Sequence, residues 1–155
     1  EEDQKYVVCS GGGPGIMKAA NRGANEAGAK SVSLGISLPF ENEPNPYVPP
    51  ELNFEFHYFF TRKFWFSYLA EAFVIMPGGF GTLDEFFEIL TLIQTGKINK
   101  DLPIVLFGED YWKSLINFET LVDYGVIDKK DLDLFYITSS VESAFEHITS
   151  KLKLK

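Results

Sequence analysis

Twice in this chain a short apolar segment runs into a cluster of glycines and then into a helical pattern, and few architectures other than an α/β sheet accommodate that order. Lys-Tyr-Val-Val-Cys-Ser over 5–10 breaks at Gly11-Gly12-Gly13-Pro14-Gly15, and a helical pattern follows from Ile16 to about Ala27. Ala72–Met76 breaks at Pro77-Gly78-Gly79-Phe80-Gly81, after which Thr82 opens an apolar helix that reaches about Thr95 and stops at Gly96. Further strands are expected at Ser31–Ser37, Leu102–Phe107 and Leu134–Ile137, with a short strand or extended arm at Asn53–Tyr58. Helices are expected at Phe59–Leu69, Tyr111–Tyr124 and Val141–Leu152, and the proline-rich stretch from Leu38 to Pro50 reads as a loop. Strands separated by helical crossovers pair in parallel, so the fold class is α/β, a Rossmann-like open parallel sheet with helices on both faces.

Composition narrows the function classes. With 14 basic and 22 acidic side chains among 155 residues the chain carries a net charge of −8, which opposes a broad nucleic-acid or anionic-membrane surface, so any bound phosphate must be held locally. A single cysteine, Cys9, forms no internal disulfide and reads as a small buried hydrophobe, and with no span-length apolar run the expected location is cytoplasmic. The aromatic share, 15% with 15 phenylalanines, is large for the size and suggests self-association.

In an open parallel sheet both glycine turns lie along the carboxyl edge of the strands, where ligands bind. Each presents the first N–H groups of a helix, which lack intrahelical partners and favour an anion. The dinucleotide template fails, because Gly11, Gly13 and Gly15 are spaced by two and Ser31–Ser37 ends without an acidic residue. The P-loop template fails for want of a terminal Lys-Ser or Lys-Thr. In the second turn, Thr82 with Glu85 three residues later fits a capping box, worth about 0.5–2 kcal/mol and requiring no chemistry. Against that stands the placing of Gly78, Gly79 and Gly81 within four positions, which suggests that something lies against the backbone. Arg62 and Lys63 sit among Phe59, Phe60, Phe64, Trp65 and Phe66, an unusual setting for a guanidinium, whereas His57 and His147 stand at no ligand spacing and read as structural.

Pro77-Gly78-Gly79-Phe80-Gly81-Thr82-Leu83-Asp84-Glu85 matches the P-G-G-x-G-T-x-x-E signature of the Lonely Guy (LOG) family, long described as possible lysine decarboxylases. Gly11–Met17 resembles the first glycine segment of that family, and Thr61-Arg62-Lys63 is similar to its Arg-Lys pair. The resemblance implies a Rossmann-like homodimer that hydrolyses the N-glycosidic bond of a nucleoside 5′-monophosphate, AMP or an N6-modified AMP such as a cytokinin nucleotide. Free base and ribose 5-phosphate are the products. By the same resemblance Arg62 and Glu85 are the catalytic pair, Gly78, Gly79, Gly81 and Thr82 hold the 5′-phosphate, and Gly12, Gly13 and Lys63 make other substrate contacts. No cofactor, metal, nucleic-acid or membrane partner is implied. A pyridoxal-phosphate decarboxylase would need a Schiff-base lysine with partners for the ring, a constellation not evident here.

Relatives carry a further strand and helix ahead of the first glycine segment, which begins here at residue 11. Residues 1–155 are therefore expected to form one Rossmann-like domain lacking that strand and helix, a piece of a longer chain. A non-catalytic nucleotide-binding protein or molybdenum-cofactor carrier is the rival reading. It would need the phosphate cradle but not Arg62 with Glu85.

Overall fold

The computed structural model describes residues 6–37 and 45–152. The segments 1–5, 38–44 and 153–155 fall outside the described residues, and with them most of the loop expected from Leu38. The chain divides into two compact units, Glu1–Tyr68 and Leu69–Lys155. Each is an α/β unit built on a three-stranded parallel sheet, which makes the fold Rossmann-like.

In the first unit, β1 (Val8–Ser10), α1 (Ile16–Glu26), β2 (Ser31–Ile36), β3 (Asn53–Phe56) and α2 (Phe59–Leu69) follow in order, with a 3₁₀ turn at Pro50–Leu52. The sheet order is β1-β2-β3. Its register sets Ser10 beside Ser33 and Ser33 beside Asn53, a row of polar side chains across the sheet. This interior is unusually polar, with Ser10, Asn21, Ser31, Ser33 and Asn45 buried alongside Ala24, Leu34 and Val48. Burial at these positions is tolerable because each group finds a partner: Ser31 donates to the Tyr47 carbonyl, Ser33 to Asn53 Oδ1, and Ser10, Asn21 and Asn45 bond to one another. Asn21 of α1 accepts from the Ser10 hydroxyl at 2.6 Å and from Asn45 Nδ2 at 3.0 Å, while its own amide donates to the Val32 carbonyl at 3.4 Å. Of Asn53–Tyr58, the first four residues, Asn53–Phe56, are a strand because they complete this ladder.

The second unit runs β4 (Phe73–Ile75), α3 (Phe80–Gln94), β5 (Ile104–Phe107), α4 (Glu109–Leu115), α5 (Phe118–Asp123), a 3₁₀ turn at Lys129–Leu134, β6 (Tyr136–Thr138) and α6 (Val141–Lys151). The sheet order is β4-β5-β6. Here the core is apolar: Ile75, Phe86, Ile89, Leu102, Ile104, Leu106, Trp112 and Phe118. Phe86, wholly buried, meets Trp112, Phe118 and Phe135 edge-on at centroid distances of 5.6, 6.1 and 5.9 Å. It fixes α3, and hence the glycine turn before it, to the sheet.

Tyr111–Tyr124, expected as one helix, is two. Trp112 and Phe118 both enter the core, yet on one straight helix they would point about 120° apart. Extended backbone at Ile116 and Asn117 breaks the helix and lets both rings turn inward. A second correction concerns Cys9, which is exposed rather than buried. The aromatic segment of α2 lies outside the core: no residue of α2 is buried, and Phe59, Phe60, Phe64, Trp65 and Tyr68 are exposed. Among the described residues no helix is long and apolar enough to cross a membrane.

Candidate functional site

The first glycine turn leaves β1 directly above the polar row. Gly12 adopts the left-handed region at φ +76°, and a Cβ there would come within 2.8 Å of Ser33 Cβ, so both conformation and space demand glycine. Its N–H donates to Ser10 Oγ at 3.0 Å, which ties the turn to the Asn21 network. Gly15, at φ +69°, leads into α1. Gly12 and Gly13 are both half-exposed in this turn. Ser10 and Asn21 escaped the sequence reading, and an Asn inside an otherwise amphipathic helix was the available signal.

Arg62 and Lys63 lie half-buried in the first half of α2. The Arg62 guanidinium carbon is 5.6 Å from the centroid of Phe59 and 5.5 Å from that of Phe66, so the cation is held by aromatic faces. Its Nη1 lies where a Cβ on Gly11 would come within 3.5 Å, which sets the guanidinium against the first glycine turn. The two motifs of the first unit are thus brought together. Lys63 is the next residue of the same helix.

The second turn leaves β4 and enters α3 two residues earlier than expected. Gly79 is the N-cap, Phe80 the first helical residue, and no side chain caps the helix. Thr82 is already inside the first turn, so the capping box of Thr82 with Glu85 is not formed. Thr82 packs instead against Gly78, where a Cβ would stand only 2.2 Å from Thr82 Oγ1 and 2.8 Å from its Cβ. Gly79 and Gly81 have no such reason. Neither has a positive φ, and a Cβ on either would meet nothing within 4 Å. Glycine at these two positions keeps an open approach to amides of the first helical turn, where N–H groups have no intrahelical acceptor. The first bond of the helix is Leu83 N–H to the Gly79 carbonyl at 3.1 Å.

Glu85, half-buried, follows four residues after Gly81 and three after Thr82, so the three share one helix face. Neighbouring Phe86 locks that stretch of helix into the core. Arg62 belongs to the first unit and Glu85 to the second.

The second turn is also braced from α4. Gly108, at φ +100°, brings the end of β5 so near that a Cβ would lie 3.2 Å from Pro77 Cγ. The Tyr111 hydroxyl donates to the Gly78 carbonyl. Sequence reading missed Tyr111, which carries no motif and becomes visible only when α4 is placed beside the turn.

The family model described as possible lysine decarboxylase matches residues 17–148. A protein of Oryza sativa subsp. japonica named probable cytokinin riboside 5′-monophosphate phosphoribohydrolase LOG4 is 27% identical over 152 residues, covering 96% of this chain and 64% of its own length. The Arabidopsis thaliana cytokinin riboside 5′-monophosphate phosphoribohydrolase LOG7 is 29% identical, with 94% of this chain and 71% of its own covered. The Rhodococcoides fascians protein of the same activity name is 33% identical over 96 residues, with 61% and 48% covered. The chain therefore spans less than two thirds of the rice relative and about half of the bacterial one. The match over 17–148, reinforced by the signature from Pro77 to Glu85, places this chain in the possible lysine decarboxylase family, to which the LOG proteins belong.

Proposed function

We propose that the protein containing this chain hydrolyses the N-glycosidic bond of a nucleoside 5′-monophosphate. The observation that carries the reading is the pair of glycines, Gly79 and Gly81, whose Cβ positions are open and whose conformation does not require glycine. A phosphate seated there meets the positive end of α3 and its unpartnered amides. In this reading Gly78, Gly79, Gly81 and Thr82 form the phosphate cradle, Arg62 and Glu85 are catalytic, and Gly12, Gly13 and Lys63 complete the substrate contacts. The names of the relatives point to a cytokinin riboside 5′-monophosphate as substrate, with AMP the plain alternative. The enzyme is taken to be a cytoplasmic homodimer, and the exposed aromatic face of α2 supplies apolar surface suited to self-association.

In the reaction the bond from C1′ to the base nitrogen breaks with its electron pair passing to the base, which takes a proton, and C1′ takes hydroxide from water. The transition state has oxocarbenium character, so a carboxylate such as Glu85 offers charge stabilisation and a site for the proton of the attacking water.

The full-length protein incubated with AMP and with N6-prenylated AMP is expected to release free base and ribose 5-phosphate. Glu85→Gln is expected to lower kcat by about 10²–10⁴-fold while nucleotide binding persists. Tight binding of both nucleotides with no base released would identify a binding protein instead.

A further inference from the structure

The phosphate cradle is only as good as the direction of its amides, and one side chain outside the signature controls that direction. Tyr111, at the first turn of α4, donates its hydroxyl hydrogen to the Gly78 carbonyl oxygen. The bond joins two parts of the second unit separated by 33 residues. Its base is rigid. Trp112, the next residue, is wholly buried and donates from Nε1 to the Phe107 carbonyl at 3.0 Å, and its ring meets that of Tyr111 edge-on at 5.1 Å. Trp112 N–H also closes α4 on the Gly108 carbonyl at 3.2 Å, beside the contact of Gly108 with Pro77.

A trans peptide group is planar, with its carbonyl and N–H pointing in opposite directions. Fixing the Gly78 carbonyl on Tyr111 therefore fixes the Gly79 N–H, which lies in the same plane and points the opposite way. Glycines on both sides of this peptide leave it freer to rotate than any other in the turn, because no Cβ restrains it. We infer that Tyr111 is a positioning residue for phosphate recognition: its hydroxyl holds the Gly78–Gly79 peptide in the orientation that presents the Gly79 N–H to the anion. The inference rests on the proposed nucleotide hydrolysis only for its kinetic consequences. The orientation of the peptide is a property of the unliganded turn.

The test is Tyr111→Phe in the full-length protein, which removes one hydroxyl and keeps the ring on Trp112. For the nucleoside 5′-monophosphate KM is expected to rise about tenfold with kcat changed less than threefold, and the inhibition constant of inorganic phosphate to rise by a similar factor. Binding of the corresponding phosphate-free riboside is expected to stay the same. In the free protein the Gly79 amide resonance is expected to move and broaden, while amides of α5 and α6 hold their positions. An active Tyr111→Phe enzyme with unchanged KM and unchanged phosphate inhibition would overturn the inference and leave the hydrolase reading standing. A wild-type protein that releases no base would overturn the hydrolase reading, and binding of inorganic phosphate would then decide the inference: weakened in Tyr111→Phe it stands, unchanged it falls.

Discussion

Gly81 lies in the first turn of α3, where alanine would ordinarily be the better helix former by up to about 1 kcal/mol. A Cβ there meets no protein atom, so Gly81→Ala is expected to leave thermal stability unchanged or slightly raised. If the open space belongs to a phosphate, the same change raises KM for the nucleotide at least tenfold. Differential scanning calorimetry with steady-state kinetics reads both, and a stable variant with unaltered KM would remove Gly81 from the cradle. Gly12 behaves in the opposite way. At φ +76° and hard against Ser33, Gly12→Ala is expected to cost about 1–3 kcal/mol in urea unfolding, because the strain lies in the folded chain itself. Of two glycines drawn from the two turns, one is required by the fold and the other is not, a distinction that the letters alone do not carry.

Among the elements, α1 and α6 are held by polar devices that can be tested singly. Asn21→Ala removes the acceptor of the buried Ser10 O–H and of the Asn45 side-chain N–H, and unfolding is expected to become easier by about 1–3 kcal/mol for each donor left unbonded. Helix α6 is capped by Ser140, whose hydroxyl accepts from the Ser143 N–H at 3.1 Å, and its His147 stacks on Tyr136 at 4.7 Å. Burial first and then Lys151 hold the His147 pKa below 6.5, while Asp101 acts in the other direction. A histidine whose folded pKa is lowered binds fewer protons folded than unfolded, so its contribution to stability is present above pH 6.5 and is lost as pH falls from there through the folded value. Comparing urea midpoints at pH 7.5 and 5.5 for wild type and His147→Gln should show a smaller pH difference in the variant.

Element types were largely legible. Phe59–Leu69 and the start of α1 at Ile16 agree with the pattern, because glycine breaks and aromatic spacing are local signals. What local signals missed was decided by packing. The break at Ile116 and Asn117 answers to Trp112 and Phe118 both seeking the core, and the early start of α3 at Phe80 follows from Thr82 lying over Gly78. In the candidate site the signature residues could be named from sequence, whereas Tyr111, Ser10 and Asn21 could not, since each acts on a segment more than ten residues away.

For the whole molecule the chief quantity is apolar surface left outside. Helix α2 presents Phe60, Phe64, Trp65 and Tyr68, with Phe64 stacked on Tyr68 at 5.3 Å. If this face joins two copies, Phe60→Asp is expected to shift the sedimentation coefficient of the full-length protein to that of a monomer at micromolar concentration. An unchanged coefficient would move the interface elsewhere.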